Sequence, residues 1–217
     1  MSASLFSKVA VAMQSALASA LTVSAGGVTK ANPGVVTYTG TDPSNGDFVL
    51  ITSSQGMTQL EGRIFRVANV NAGSNTFELE GEDTSTYDTM VSANVQVITF
   101  GTTFSTMLDL NVSGGEAASI DVTTIHDSIN QEEIGNFSAI TINSNLIWDP
   151  SDAAQVACKS ASDTKAKRCF RLTFANGKKW LFYGAVGFTG APTGAAQEVA
   201  KSPLTIKSNG RMTIYAS

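Results

Sequence analysis

The stretch FRLTFANGKKWLFYGAVGF does most to limit what this chain can become. Phe170, Leu172 and Phe174 alternate with other residues, Asn176-Gly177 interrupts, and Trp180 and Phe182 alternate back. An Asn-Gly pair between two alternating runs specifies an antiparallel hairpin, because both residues accept the left-handed backbone such a turn requires. The run PLTIKSNGRMTIYA has the same form and predicts a second hairpin turning at Asn209-Gly210. Upstream, short apolar runs over 35–38, 48–52, 63–70, 76–80 and 95–100 are separated by the turn-forming runs DPSNGD and NAGSN. In TFELE, Phe77 and Leu79 point one way and Glu78 and Glu80 the other, the pattern of a strand with one wet face. Runs at 120–124, 140–142 and 146–148 read as further extended segments.

With 217 residues, the chain suits one large domain or two small ones, which would bury about 70% of the extended surface. Charged residues are only 15% of the total and Thr, Ser, Val, Ile and Gly abound, so a mainly β fold is expected. One helix is predicted over 150–160, with Asp149 as N-cap, Pro150 at the first helical position and Ala153, Val156 and Ala157 as its buried stripe. The expected architecture is a β-sandwich or partly open barrel with this one flanking helix. Its expected parts are an N-terminal strand or arm over 1–30, a β-rich portion or insertion over 31–99, and a sandwich core over 100–217.

Residues 1–25 faintly resemble a secretory signal, but Lys8 is the sole cation there, and Gln14, Ser15 and Ser19 interrupt the apolar run. The alternation of Val9, Val11 and Met13 against Lys8, Ala10, Ala12 and Gln14 fits a half-exposed strand instead. The small residues Ala16, Ala18, Ser19 and Ala20 bury little area, so residues 1–27 are expected to owe their order to neighbouring copies. Cys158 and Cys169 could form a disulfide, but without a convincing export signal they read as reduced thiols.

Charge is divided along the chain. Ninety-two residues between Arg66 and Lys159 contain 13 carboxylates and no Lys or Arg, whereas the 59 residues from Lys159 carry ten cations and two acids. Such segregation favours head-to-tail contact between identical copies. It does not point to catalysis. His126 has Asp127 beside it, but no activated Ser or Cys pattern accompanies the pair. Zinc would need more ligands than His126, Cys158 and Cys169 supply, and the acidic run of Glu78, Glu80, Glu82, Asp83 and Asp88 lacks the order of a calcium loop. No phosphate-binding glycine motif is present, and Lys165, Lys167, Arg168, Arg171, Lys178 and Lys179 lack the interleaved aromatics of a nucleic-acid surface. Neither an enzyme nor a cofactor is expected.

The order SGGEAASIDVTTIHD, EEIGNFSAITIN, LIWDPSDAAQ, FRLTFANGKKWLFYGAVGF and a final SNG turn resembles the major tail tube proteins of long-tailed (siphovirus-type) bacteriophages. The resemblance implies a fold shared with the tube protein of type VI secretion, assembly of six copies into rings, and rings stacked into a tube. It also implies a tape-measure protein, terminator and initiator proteins as partners, no membrane, a place in the virion after assembly in the host cytoplasm, and a genome that passes the lumen without specific binding. Combined with the charge division, it makes Glu78, Glu80, Glu82, Asp83, Asp88, Lys165, Lys167, Arg168, Lys178 and Lys179 candidates for contacts between rings. Asp109, Glu116 and Asp121, expected on strands, become candidates for the lumen wall. The competing reading is a secreted or surface β-sandwich binding module.

Overall fold

A computed structural model describes residues 8–216. In chain order its strands are β1 (Ala10–Leu17), β2 (Leu21–Val23), β3 (Val35–Thr37), β4 (Phe48–Gln55), β5 (Ile64–Asn71), β6 (Thr76–Leu79), β7 (Ser92–Phe104), β8 (Asn111–Ser113), β9 (Ala117–Asp121), β10 (Glu132–Phe137), β11 (Thr141–Ile147), β12 (Lys167–Thr173), β13 (Lys179–Phe188), β14 (Lys201–Ser208) and β15 (Thr213–Tyr215). The single α-helix, α1 (Ala153–Asp163), lies between β11 and β12. Thirteen strands form one antiparallel sheet in the order β3-β6-β5-β4-β7-β1-β12-β13-β14-β11-β8, with β2 and β15 on side branches, and β9 and β10 form a separate hairpin. The mainly β expectation with one flanking helix is met, and the sheet is curled without closing into a barrel.

Two cores result because β7 is 13 residues long and serves both ends of the sheet. Its first part joins β2 to β6 around Val23, Val36, Phe65, Phe77, Leu79 and Val95, all essentially inaccessible. Reciprocal backbone bonds between Thr22 and Thr39 bring β2 back beside the segment after β3. The second part of β7, with β1, β12, β13, β14, β11 and β8, curls around Met13, Phe104, Leu146, Phe170, Leu172, Phe182 and Ile206. Phe170 and Phe182 stack with centroids 5.1 Å apart, a geometry that adds about 0.5–1.5 kcal/mol to their burial. A third cluster of Phe48, Leu50, Ile64 and Ile98 from one end with Cys169, Leu181 and Tyr215 from the other welds the two cores together.

Local sequence explains most elements. Gly177 has φ +84°, as an Asn-Gly turn requires, and β12 pairs β13 from Lys167↔Ala185 to Thr173↔Lys179. The helix begins later than its sequence predicts. The Asp149 carboxylate accepts from the backbone N–H (2.9 Å) and hydroxyl (2.6 Å) of Ser151 in a local turn. Asp152 therefore takes the cap and accepts from the Gln155 N–H at 3.2 Å. The docked face is accordingly Ala154, Cys158 and Ala161, with Ala157 only partly buried, and Val156 is 54% exposed instead of buried.

The second predicted hairpin does not form. After β14 the chain does not fold back on itself, because the Asn209 N–H donates to the Tyr183 carbonyl (2.7 Å) and holds it on β13. The ten residues of β13 outrun the pairing with β14, which covers Gly184 to Phe188, and β15 completes the same edge from Lys179 to Leu181. Gly210, at φ +109°, packs against the backbone of Glu61 and Gly62, where a Cβ would be strained and crowded at 3.0–3.3 Å. A second correction concerns residues 8–27. β1 is an interior strand between β7 and β12 with Val11, Ala12 and Met13 buried, so the subunit itself orders it. Residues 1–7 of that expectation lie outside the described residues.

Candidate functional site

Three surfaces stand out. The first lies where the two ends of the sheet meet. Arg63, 8% exposed, donates from Nη2 to Glu82 Oε2 at 2.7 Å and stacks on Phe65 at 4.7 Å; Tyr87 donates to Glu82 Oε1 at 2.6 Å. Arg66 pairs with Glu80 and covers the ring of Tyr215 at 4.8 Å, and its backbone N–H donates to Tyr215 Oη at 2.7 Å. The hydrogen bond from Arg66 holds the Glu80 carboxyl below its ordinary value, and Lys179 adds a smaller pull. Burial pushes the Tyr215 phenol up to about 12. These groups surround a polar cavity of about 380 Å³ with Met212, Thr213 and Ile214.

Of the ten residues expected at contacts between rings, Glu80 and Glu82 are committed to internal arginines, with Lys179 adding only a weak electrostatic pull on Glu80. Glu78 accepts from Asn69 (2.7 Å) and Asp88 from Gln59 (3.0 Å), while the carboxyl of exposed Asp83 is held low by the Ser85 side chain and then by the Ser85 N–H, from which it accepts at 2.9 Å. Lys165 follows the helix in the left-handed region (φ +53°), Lys167 reaches Asn209 Oδ1 at 2.9 Å, Arg168 is half-buried on β12, and Lys178 and Lys179 flank the start of β13.

The second surface is the bare face of the sheet opposite α1. Asn143, Asn145, Pro203, Thr205, Ala185 and Gly187 alternate with the buried residues of β11, β14 and β13, and Thr205 donates to Asn143 Oδ1 at 2.9 Å. By register Lys167, Lys179, Lys201 and Lys207 share this face toward the strand ends and Arg171 lies along β12 opposite Leu181, whereas Asn143, Thr205 and Gly187 at the centre are uncharged. Asp109 lies in the link between β7 and β8, not on a strand, and accepts from the backbone (2.7 Å) and side-chain (2.8 Å) N–H groups of Asn145. It fastens the curl of the sheet.

The third surface is a projecting arm over residues 114–139, which the sequence reading did not isolate. Gly114 and Gly115 have φ +84° and +81°, and a Cβ at Gly114 would fall 2.4 Å from the Ala139 carbonyl. This double glycine turns the chain out of the sheet into the hairpin of β9 and β10. Strand ends shift accordingly: the run predicted over 120–124 is β9, ending at Asp121, and Glu116 lies before it. Ile125, Ile129, Ile134 and Phe137 are 97, 77, 80 and 62% exposed. His126 is exposed near the tip, where Asp127 accepts from the N–H and hydroxyl of Thr124 (2.8 Å each), which serves the turn and not the imidazole. The signal for the arm was present as the Gly-Gly pair followed by isoleucines with no buried counterpart.

Cys158 and Cys169 are free and buried in different clusters. Burial pushes the Cys158 thiol up to about 12 and that of Cys169 also upward, so neither is a ready nucleophile. No described helix is long and apolar enough to cross a membrane.

The family model described as phage tail tube protein, TTP, matches residues 55–217. No curated protein matches. Among solved structures, the chain is similar to one described as "Tail of empty GTA particle computed with helical refinement, C6 symmetry", at 16% identity and a TM-score of 0.41, over 55% of this chain and 87% of that one.

Proposed function

The chain belongs to the phage tail tube protein family, and on that premise we propose that six copies close into a ring, that rings stack into the tube of a long tail, and that the genome passes through its lumen. It is a structural component of the virion tail. The observation that carries the proposal is the family match, which begins within β4 and takes in every later strand. A tape-measure protein in the lumen and terminator and initiator proteins at the tube ends are the partners this role requires. The subunits would assemble in the host cytoplasm.

The bare sheet face opposite α1 suits a lumen wall. Each phosphate neutralised by a Lys or Arg adds affinity through counterion release, so a neutral centre at Asn143, Thr205 and Gly187 lets DNA slide. Asp109 contributes negative charge at the rim of that face, and Glu116 and Asp121 do so from the arm. Contacts between rings are assigned to half-buried Glu78 and exposed Asp83 and Asp88 against Lys165, Lys167, Arg168, Lys178 and Lys179. Glu80 and Glu82 act chiefly inside the subunit. The test is negative-stain microscopy over a concentration series. Tubes are expected. Protein that stays strictly monomeric by light scattering, with and without tail initiator components, overturns the proposal.

A further inference from the structure

The arm is incomplete as the single chain presents it. A two-stranded hairpin in water is marginal, and here Asp121 stands directly opposite Glu132 in the register, a like-charge pair that weakens it further. Over residues 114–139 there are five carboxylates (Glu116, Asp121, Asp127, Glu132 and Glu133) and no Lys or Arg. Its isoleucines at 125, 129 and 134 lie open to solvent. What completes such an element must offer both apolar surface and positive charge.

The root of the arm and the carboxyl-terminal third together offer both in one place. A groove of about 830 Å³ runs between the root of the arm and residues 208–212, with Phe137, Ile140 and Met212 as its apolar lining and Arg211 in its wall. Lys167 joins it through its bond to Asn209, another lining residue. The two acids of this third, Asp163 and Glu198, are taken up by Lys159 and Lys201. Among the described residues of the third, no side-chain carboxylate is left for Arg211 and Lys167.

We propose that this groove is the seat for the arm of a second copy of the chain: Ile125 and Ile129 enter against Phe137, Ile140 and Met212, and the Asp121–Glu132 pair and Asp127 face Arg211 and Lys167. Because each copy carries both an arm tip and, at the root of the same arm, a groove, the contact is heterologous and repeats from copy to copy. The assignment rests on the tube reading and names the surfaces that propagate it.

The test is disulfide trapping in the full chain. Ile129→Cys with Arg211→Cys in one chain should give a ladder of covalent multimers on oxidation, whereas an equimolar mixture of the two single variants should give cross-linked dimers and nothing larger. The buried Cys158 and Cys169 provide the background, read from the unsubstituted chain. Ile125→Asp with Ile129→Asp, at exposed positions, should leave the thermal unfolding of the monomer unchanged and raise the concentration needed for assembly at least tenfold. Tubes in the microscope without a ladder, and with the aspartate variant assembling as readily as the original, overturn the arm-and-groove contact and leave the tube reading standing. A ladder without tubes supports the contact and overturns the tube. Neither tubes nor ladder overturns both.

Discussion

Asp152 shows how one carboxylate decides where an element starts. With Asp149 occupied by Ser151, the helix waits three residues for a free acceptor and so presents Ala154, Cys158 and Ala161 to the core. Asp152→Ala should therefore lower stability by about 1 kcal/mol, and Val156→Asp on the exposed face by no more than about 0.5 kcal/mol. Urea unfolding monitored by circular dichroism would separate them; equal losses would return Val156 to the core. Glu80 makes a pH prediction. Its folded carboxyl titrates below its unfolded one because Arg66 bonds the charged form. The stability it contributes is present above the ordinary glutamate range near pH ~4.3 and is lost as pH falls through the lower folded value. With about a third of its side chain exposed, the pair is worth at most about 1 kcal/mol. Glu80→Gln should thus flatten the acid limb of the stability curve, and an unchanged acid limb would remove Glu80 from the junction.

At the scale of elements, the alternating pattern was a good guide wherever one strand had one neighbour at a time. The Asn176-Gly177 hairpin and the alternation of Phe77 and Leu79 against Glu78 and Glu80 appear as read. The Asn209-Gly210 turn failed because its outcome depends on a third strand: β13 leaves half an edge open, and a local pattern carries no record of that vacancy. The early segment failed for a related reason. The small residues Ala16, Ala18, Ser19 and Ala20 are exposed as read, yet Val11, Ala12 and Met13 ahead of them are shut in with β7 and β12 on either side. Charge was legible as a division along the sequence but not as pairs, since Glu80 and Glu82 find Arg66 and Arg63 only through sheet register and a turn. Lys178→Glu should accordingly reduce tube growth more than subunit stability, with growth becoming more sensitive to salt. Lys179→Glu should also cost some folding stability because Glu80 lies near. Growth rates by light scattering at two ionic strengths, beside thermal melts, test both.

For the whole molecule, the shared strand β7 and the Phe48–Leu181–Tyr215 cluster make the two cores one mechanical body. The division at 1–30, 31–99 and 100–217 is kept as a proposal, with 31–99 either a β-rich N-terminal portion or an insertion, and because β7 runs through the last boundary the portions are expected not to melt apart. A single calorimetric transition is expected; two well-separated transitions would make 31–99 an independent domain. Thr205→Lys, at the centre of the bare face, should leave tubes intact and slow DNA release from assembled particles, whereas the same change on the outer surface should not. On the proposed function, copies of this subunit build a tube whose lumen is walled by the sheet face opposite α1. Cryo-electron microscopy of tubes grown from the purified protein tests it most directly. Stacked six-fold rings with Asn143, Thr205 and Gly187 facing the channel and α1 turned away are expected; a tube in which α1 lines the channel and this sheet face points outward, or rings of another order, would overturn the proposal.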